Sequence, residues 1–553
     1  MPLLKPASAM TTADQMEDQG AGEAVKKEMA FRVGQRVMTC SPRDKEEFPQ
    51  LGTVKYVGAV EGQKGTWIGV DWDSGEGRHD GSLEGARYFQ ARLPSSASFV
   101  RSHLLSTGCT LIEAINSRYK GSTDPSEEGE MYLLSVHQKK VTIELVGKEK
   151  IENKQKHLEE LSSASLVYKG VVSAGELEGV LPNLKELDLT GNLLPDWEAV
   201  NLICEQLPAL RILDLSRNRM QLLGNLYPAL VHLHTLVLNF CQINWGQVEI
   251  LKHSLLELEE LHLCGNELSV FEVKEGHDYI DGFERLRLLN LENNHIEAWE
   301  EILKLSRLES LEQLQVSYNE LKEIFYPKET GHGWDKRPFV SLRCLLLAGN
   351  AIDNWSSFDA LNMFPNLMEV RVSDNPLTDL HVGGAPRFIL VARLANILVL
   401  NGSDIKQRER KDSEIRYVHY VMKTMPRSEE EERVRIHPRF LELKKLHDLD
   451  EEQPYLRKDA GPSRMSDNLR TVTIVCVAPS MGEKAPCMKK LPLSTTIGKL
   501  KLICESLFKI KPSRQRLFLR EPDVPVPVAL GDDLESLSDV GVGFESTILV
   551  DEL

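Results

Sequence analysis

The sequence predicts a multidomain protein of mixed α/β and β architecture, with a repeat solenoid between a small N-terminal β-domain and a C-terminal domain of strands around one helix. Three observations support this prediction. The pattern L-x-x-L-x-L-x-x-N recurs eight times between Leu184 and Asn375. Residues 31–105 alternate apolar and polar side chains with glycines at the turns, and residues 470–553 follow a strand, strand, helix, strand order.

The chain begins with residues 1–29, which are rich in Ala, Met, Glu and Asp without periodicity, so we expect a disordered leader. Residues 30–105 form the predicted β-domain. Within it, the stretch GEGRHDGSLEGARYF is expected to form a tight turn that exposes backbone amides beside basic and aromatic side chains. Such a turn suits an extended peptide that ends in a carboxylate.

The W-x-G-V-x-W-D stretch, followed by G-R-H-D-G-S and Y-F, resembles the signature of the CAP-Gly family. The resemblance implies a domain that binds acidic C-terminal tails ending in an aromatic residue, above all the tail of α-tubulin. Trp72 and Phe89 are predicted to wall an aromatic slot, while Trp67 is assigned to the core. The predicted tail-binding residues are Trp72, Gly77, Arg78, His79, Asp80, Gly81 and Phe89. Arg78 and His79 depart from the family pattern G-K-N-D-G.

Residues 106–157 are predicted to form a connector, with helical spacing in IEAINSRYK and a strand in KKVTIELVG. The repeat array, 158–424, begins with a degenerate repeat around Leu158 and ends with a cap. Its successive repeats are 23 to 31 residues long, near the period of leucine-rich repeats. The closing positions are Asn192, Asn218, Cys241, Asn266, Asn294, Asn319, Asn350 and Asn375.

No single repeat can bury its own apolar face, so stacking should produce a solenoid with a parallel sheet on its concave side. The leucines and asparagines are then scaffold. A tryptophan that recurs four or five residues after the closing position is interpreted as packing, at Trp197, Trp245, Trp299 and Trp355. The long repeat that contains Lys328 to Arg337 predicts an outward loop, either a partner contact or a tolerated insertion.

The residues between the leucines face whatever binds on the concave side. In the early repeats these are acidic, and in the later repeats they are more neutral. The predicted concave-face residues are Glu186, Asp188, Asp214, Glu260, Gln313 and Arg371. Such a surface suits a folded protein better than nucleic acid, and an ordinary solvated face is the alternative.

After the repeats, residues 425–467 are predicted to be a charged, partly helical linker. Residues 468–553 resemble the ubiquitin-like family, with a helix over TIGKLKLICESLF that is capped by Thr495 or Thr496. The chain ends Asp551, Glu552, Leu553 without Gly-Gly, so a docking role is expected rather than conjugation.

The composition of the chain limits the classes of ligand that it is expected to bind. The 553 residues carry a net charge of −17, which argues against nucleic acid and anionic membranes as main ligands. The nine cysteines include no C-x-x-C pair, and no signal peptide or apolar run long enough for a membrane span is present. We therefore expect a cytoplasmic protein, associated with the cytoskeleton, that binds other proteins.

The order of the three domains resembles a family of tubulin-specific chaperones. The resemblance implies binding of α-tubulin and joint action with other tubulin-folding cofactors in assembly and dissociation of the α/β-tubulin heterodimer. It also raises an Arl-type GTPase and the proteasome as candidate partners. No phosphate-binding, metal-ligating or nucleophile motif occurs, so neither an enzyme nor a cofactor is expected. The alternatives are a microtubule-associated linker and an adaptor that delivers tubulin to the ubiquitin and proteasome pathway.

Overall fold

The computed structural model describes residues 31–40, 48–120, 132–134, 140–142, 157–224, 226–273, 278–327, 337–379, 384–425, 430–449, 469–478, 485–492, 495–520, 527–530, 533, 537, 540, 542 and 546–552. The predicted leader, much of the connector and most of the predicted loop from Lys328 lie outside these ranges. The described residues up to Pro386, with Leu394–Ile397, form one compact unit, and Arg387–Arg393 with the residues from Leu398 onward form a second. Within these ranges, none of the helices combines the length and hydropathy of a membrane span.

The N-terminal β-domain is a bent antiparallel sheet in the order β6-β3-β2-β1-β7, with a separate small hairpin of β4 and β5. Alternation along β3 sends Ile68, Val70 and Trp72 into a core that also contains Val37 and Val54. The opposite face of β3 is therefore available for other contacts. The strands are β1 Arg36–Thr39, β2 Leu51–Ala59, β3 Thr66–Trp72, β4 Ser82–Leu83, β5 Ala86–Arg87, β6 Ala97–Val100 and β7 Leu105–Ser106.

The connector begins with β8 Cys109–Thr110, which pairs in parallel with β12 Val171–Ser173 at the start of the array. Helix α1, Leu111–Ile115, follows with a capping box in which Thr110 and Glu113 satisfy each other's backbone amides. This confirms the predicted helix in IEAINSRYK. Strands β9, Tyr132–Leu134, and β10, Lys140–Thr142, form an antiparallel pair, and β10 lies in the predicted strand KKVTIELVG.

The repeats form a parallel sheet, and every strand centres on a buried residue. The degenerate first repeat is confirmed, because β11 pairs in register with β13. The strands are β11 Ser163–Ser165, β13 Glu186–Asp188, β14 Ile212–Asp214, β15 Thr235–Val237, β16 Glu260–His262, β17 Leu288–Asn290, β18 Gln313–Gln315, β19 Cys344–Leu346 and β20 Glu369–Arg371.

The closing asparagines connect neighbouring repeats. Asn319 is representative: its Nδ2 donates to the carbonyls of Leu291, 2.9 Å, and Val316, 3.1 Å, and its Oδ1 accepts from the Ile296 amide, 3.0 Å. At the position where Cys241 replaces the asparagine, its Sγ donates to the Leu215 carbonyl at 3.2 Å. Burial raises the pKa of this thiol to about 12, which agrees with a structural role.

Short helices follow four of the strands, and each begins at one of the recurring tryptophans. They are α2 Trp197–Glu205, α3 Trp245–Leu251, α4 Trp299–Leu303 and α5 Trp355–Ala360. The first three indole rings are buried, whereas Trp355 is half-buried. The interpretation of these tryptophans as packing residues is confirmed for the three buried rings.

The second unit starts with a helical part. Phe440 and Leu443 of helix α9 are fully buried, and α9 packs against α7. The segment predicted as a charged, partly helical linker is helical over Glu430–Ile436 and Phe440–Leu446, where Phe440 and Leu443 are covered while Ile436, Leu441 and Leu446 are exposed. The elements are α6 Arg387–Arg393, β21 Val399–Leu400, β22 Ser403–Asp404, α7 Gln407–Thr424, α8 Glu430–Ile436 and α9 Phe440–Leu446.

The C-terminal domain is a mixed sheet in the order β24-β23-β27-β25-β26 with helix α10 packed on one face, the topology of a β-grasp. Thr496 caps α10 by accepting from the Lys499 amide, as one of the two predicted caps. The short strand β26 was not predicted. The elements are β23 Leu469–Cys476, β24 Cys487–Pro492, α10 Ile497–Phe508, β25 Gln515–Arg520, β26 Val528–Leu530 and β27 Thr547–Glu552.

Candidate functional site

The face of the β-domain opposite its core carries a row of residues across three strands. Gly69 on β3 pairs with Tyr56 on β2 and with Phe99 on β6. Gly69 makes room for a ring, because a Cβ placed there would lie 2.4 Å from Cε1 of Phe89. The missing side chain therefore lets Phe89 lie down on the sheet between the two flanking aromatic residues.

Five rings collect on this face, and we call Tyr56, His79, Tyr88, Phe89 and Phe99 the aromatic groove. Their centres are spaced by contact distances: 4.9 Å for His79 and Phe99, 5.3 Å for Tyr88 and Phe99, and 5.7 Å for Phe89 and Phe99. All five side chains are half-buried. A surface of half-exposed rings held edge to face offers an aromatic ligand side chain similar packing.

Backbone amides of the turn beside the groove donate hydrogen bonds within the domain. The Gly77 amide donates to the Ser95 carbonyl at 2.6 Å, and the Arg78 amide donates to Ala97 at 2.6 Å. The Gly81 amide donates to Nδ1 of His79 at 3.1 Å. The expectation that this turn exposes its amides to a carboxylate is therefore wrong for Gly77, Arg78 and Gly81, since those donors already have partners.

The two glycines of this turn serve close packing. A Cβ on Gly77 would lie 2.4 Å from the Ala97 carbonyl oxygen, and one on Gly81 would lie 2.2 Å from the Phe89 carbonyl oxygen. Gly81 also has a φ of +96°, which favours glycine. Both glycines thus shape the groove by bringing the turn against Phe89 and β6.

Asp80 anchors the turn. Its carboxylate accepts from the hydroxyl and amide of Ser82 and forms an ion pair with Arg87 at 2.7 Å. The Ser82 hydroxyl, followed by Arg87, lowers the pKa of Asp80 well below its usual range. Arg78 is exposed next to it. Arg78 and Arg87 are therefore the cations that this edge of the groove offers to an acidic ligand.

His79 is held in one tautomer. Because Nδ1 accepts from the Gly81 amide, the ring proton lies on Nε2, and burial lowers the pKa of His79 below its ordinary value. A neutral imidazole with a protonated Nε2 can donate one hydrogen bond without adding charge. It can thus serve as a donor to a ligand oxygen at the Phe99 side of the groove.

The structure contradicts the predicted positions of two tryptophans. Trp72 is fully buried in the domain core, so it does not wall the aromatic slot as predicted. Trp67 was expected in the core but is half-buried on the groove face, where the Arg101 guanidinium lies 3.7 Å from its ring centre. Sequence reasoning also missed Tyr56, Tyr88 and Phe99. The residue alternation along β2 and β6 could have indicated Tyr56 and Phe99.

The predicted concave-face residues all lie on repeat strands, in two rows on either side of the buried central residues. Asp188 and Asp214 are partly engaged, since each accepts from a backbone amide two residues later, at 2.9 Å from Thr190 and 2.8 Å from Ser216. Glu186 and Arg371 are exposed, whereas Glu260 and Gln313 are half-buried. The acidic early face is thus present, with two of its carboxylates also supporting the turns.

The β-domain is fixed to the repeats through residues that directly follow the closing positions. Arg219 donates to the Asp73 carbonyl at 2.9 Å and lies 3.3 Å from its carboxylate, which Arg36 also binds. With its amide oxygen turned toward the guanidinium groups, Gln242 accepts from Arg219 at 3.2 Å and from Arg92 at 3.1 Å. Two charged side chains of the β-domain thus meet two successive repeats.

Apolar contacts accompany this polar cluster. Met38 and Leu51 of the β-domain pack with Leu193, which follows the closing Asn192. Phe48 stacks on Tyr168 of the first repeat, with ring centres 4.7 Å apart. The aromatic groove therefore belongs to a domain that is attached to the array by both polar and apolar contacts.

Comparison with known proteins agrees with this architecture. Residues 33–105 match the family model described as the CAP-Gly domain. The chain is 49% identical over 529 residues to the tubulin-folding cofactor E of Arabidopsis thaliana, with 95% of this chain and 98% of that one covered. It is 32% identical to the tubulin-specific chaperone E of Danio rerio, with 83% and 89% covered.

One solved structure is also similar to part of this chain. It is the solution structure of the C-terminal ubiquitin-like domain of mouse tubulin-specific chaperone e, 29% identical, covering 17% of this chain and 95% of that chain with a TM-score of 0.15. The relatives of Arabidopsis and Danio cover 95% and 83% of this chain. The chain therefore belongs to the family of tubulin-folding cofactor E, also called tubulin-specific chaperone E.

Proposed function

We propose that this protein is a tubulin-specific chaperone that binds the acidic C-terminal tail of α-tubulin in the aromatic groove and the tubulin body on the repeats. It acts with other tubulin cofactors in assembly and dissociation of the α/β-tubulin heterodimer. The names of its relatives support the general role. The observation that carries the tail contact is the aromatic groove, with Arg78 and Arg87 beside it.

The groove suits a tail that ends in an aromatic residue. The terminal ring packs among Phe89, Phe99 and Tyr56, while Nε2 of His79 donates to a carboxylate oxygen. Arg78 and Arg87 attract the preceding acidic residues. Specificity for acidic tails then comes from side chains, because the turn amides named above have internal partners.

The repeats supply a second contact with tubulin, through a surface that is acidic where the edge of the aromatic groove is basic. The early concave face carries Glu186, Asp188 and Asp214, so it repels the same acidic tail and favours another surface of the client. Because one chain carries both sites, capture of the flexible tail raises the local concentration of the tubulin body at the repeats. Binding energy, without covalent chemistry, is sufficient for this role.

The ubiquitin-like domain is proposed as the docking module for the remaining partners. On its outer sheet face, the half-buried Phe518 lies between two exposed arginines, Arg516, which forms an ion pair with Asp551 at 3.2 Å, and Arg520. An apolar centre with cationic flanks suits a protein partner with acidic residues around an apolar side chain. Another tubulin cofactor, an Arl-type GTPase or the proteasome are the partners to test there.

The test is to mix the full chain with native tubulin heterodimer and follow the complexes by size-exclusion chromatography. We expect intact tubulin to form a complex or to lose its dimer, and we expect protease removal of the acidic tails to weaken this effect. Arg78→Glu should weaken it as well, because the charge reversal repels the tail. Arg32→Glu makes the same charge change at another exposed arginine of this domain and serves as the control.

Other outcomes would replace the proposal. A protein that only cosediments with microtubules and leaves free dimers unchanged would be a microtubule-associated linker. A protein whose effect on tubulin in cells disappears with deletion of 470–553, while purified heterodimer is untouched, would be a proteasome adaptor for tubulin.

A further inference from the structure

The residue directly before each closing position of the array adopts a left-handed backbone conformation. The chain must reverse there from a strand into the following segment, and φ lies between +54° and +68° at every one of these positions. The row consists of Gly191, Arg217, Phe240, Gly265, Asn293, Tyr318, Gly349 and Asp374. Tyr168 occupies the equivalent place in the degenerate first repeat, with a φ of +52°.

At three places along this row, an aromatic residue in one repeat is followed by a glycine at the same position of the next repeat. A Cβ on Gly191 would lie 2.6 Å from the Tyr168 ring, one on Gly265 would lie 2.2 Å from the Phe240 ring, and one on Gly349 would lie 2.4 Å from the Tyr318 ring. Each ring therefore lies across the bare backbone of the next repeat. We call these three ring and glycine pairs the aromatic platforms.

The first platform, at Tyr168, already binds an aromatic side chain. Phe48 of the CAP-Gly domain stacks on Tyr168 with an angle of 17° between the ring planes. The rings of the other two platforms are exposed, Phe240 by 43% and Tyr318 by 54%. An exposed aromatic ring fixed flat against a glycine offers a rigid apolar contact that loses little side-chain entropy on binding.

We propose that the Phe240 and Tyr318 platforms bind apolar side chains on the folded body of tubulin, as the Tyr168 platform binds Phe48. This inference rests on the proposed function and assigns the second contact to named residues. The platforms continue the row that the CAP-Gly domain already uses, so a client whose tail lies in that domain meets them next. The edge of the sheet, rather than its concave centre, supplies the apolar part of the contact.

The charges along the row favour a client over another copy of this acidic chain. The Arg217 guanidinium lies 4.9 Å from the Phe240 ring centre and is the cation of the row, whereas Asp374 and the neighbouring Asp214 and Glu292 are acidic. The preferred client surface therefore has apolar side chains among basic residues. That chemistry differs from the acidic tail, so the two contacts do not compete.

The test uses tubulin heterodimer without its acidic tails, so that the CAP-Gly groove contributes nothing. The double variant Phe240→Ser and Tyr318→Ser is compared with Leu202→Ser and Met363→Ser, which remove apolar side chains of similar exposure, 46% and 59%, elsewhere on the array. We expect the platform variant to lose about tenfold or more in affinity for tail-free tubulin, measured by biolayer interferometry. Its affinity for a synthetic acidic tail peptide and its thermal unfolding should stay unchanged.

A photoreactive benzoylphenylalanine at position 318 should cross-link to the tubulin body. Equal affinity of the platform variant and the wild type for tail-free tubulin would overturn the inference, while tail-peptide binding by the wild type would leave the proposed function standing. A wild type that binds the tail peptide but shows no measurable affinity for tail-free tubulin would also overturn it. If the wild type binds neither the tail peptide nor intact tubulin, the proposed function itself fails.

Discussion

Arg219 of the second full repeat reaches Asp73 of the CAP-Gly domain across 146 residues of sequence and forms two contacts with it. Both side chains are mostly buried, with exposures of 23% and 17%. Burial and the neighbouring Arg92 and Arg36 lower the pKa of Arg219, while Asp73 opposes that shift. The aspartate thus holds together cations from two domains that would otherwise repel each other.

Arg219→Glu should detach the CAP-Gly domain from the array, because it places a carboxylate against Asp73. Hydrogen bonds to charged groups contribute about 1.5–3 kcal/mol each, which is comparable to the strength of a small domain contact. We expect small-angle scattering to show a larger radius of gyration for the variant. Tail-peptide affinity should not change, since the five rings of the aromatic groove are different residues from those named at the contact with the array.

Arg287→Glu makes the same charge change at an exposed position of a later repeat and provides the control. Identical scattering curves for the wild type, Arg219→Glu and Arg287→Glu would show that the apolar contacts of Met38, Leu51 and Phe48 fix the domain without the ion pair.

Gly69→Ala should weaken tail binding without unfolding the domain. The new methyl group would lie 2.4 Å from Phe89, whose ring must move into the space that the tail occupies. We expect the affinity for an acidic tail peptide to fall by about tenfold, measured by isothermal titration calorimetry. As a control, Val57→Ala changes a residue on the same pair of strands whose side chain alternates away from Tyr56, and it should bind the peptide normally. Normal binding by Gly69→Ala would show that Phe89 is not part of the tail-binding site.

The repeat array could be predicted nearly completely from the sequence, because its spacing constraints are local and repeated. A buried leucine, a short strand and a closing amide recur at one period, so each repeat confirms the others. The strand positions of Glu186, Asp214 and Arg371 followed directly. What the pattern did not show is that Asp188 and Asp214 also cap the turns after their strands.

The aromatic groove was only partly predictable. Motif residues such as His79 and Phe89 lie in one stretch, whereas Tyr56 and Phe99 reach the site through strand pairing that no local motif records. Trp67 and Trp72 were both misplaced for a related reason: they lie on opposite faces of β3, and the face that is buried depends on what packs against the sheet. The Asp73 and Arg219 contact has no sequence signal, since each is an ordinary charged residue.

The exchange of cysteine and asparagine at closing positions should change stability in opposite directions. Cys241→Asn supplies a stronger donor to the Leu215 carbonyl in a position of similar size, and we expect the free energy of unfolding to rise by about 1 kcal/mol. Asn319→Cys removes bonds to Leu291 and Val316 and leaves the Ile296 amide without its acceptor, so it should cost about 1–3 kcal/mol.

Urea unfolding followed by tryptophan fluorescence checks both variants, because the buried Trp245 and Trp299 report on these repeats. A destabilised Cys241→Asn would mean that the thiol fits its position better than an amide, and that this repeat has adapted to the cysteine.

The helical part of the second unit should lose stability as the pH falls through a range set by His437. Its Nδ1 faces two donors, the Tyr417 hydroxyl at 2.8 Å and the Arg393 guanidinium at 3.2 Å. Burial, followed by the charge of Arg393, lowers the pKa of His437 to about 4. A proton added at Nδ1 would displace both hydrogen bonds and place a charge against a buried arginine.

The pH dependence of stability is set by the number of protons that the folded and the unfolded states bind. In the unfolded chain this histidine titrates near its ordinary pKa of about 6.5, so between that value and about 4 the unfolded state holds a proton that the native state lacks. Stability is therefore complete above the unfolded value and declines as the pH falls toward the native value. His419 is exposed, but partial desolvation by its neighbours also lowers its pKa, so it adds a smaller decline with the same sign.

Hydrogen exchange of the α7 amides, corrected for the intrinsic effect of pH, measures this local stability in the full chain. We expect protection to fall between pH 6.5 and 4 in the wild type and to fall less steeply in His437→Gln, whose side chain has no proton to gain in that range. His419→Gln, which leaves the Arg393 and Tyr417 contacts intact, separates the second histidine's share. Equal slopes for the wild type and His437→Gln would mean that the buried arginine tolerates a protonated neighbour, and that the cluster acts only through packing.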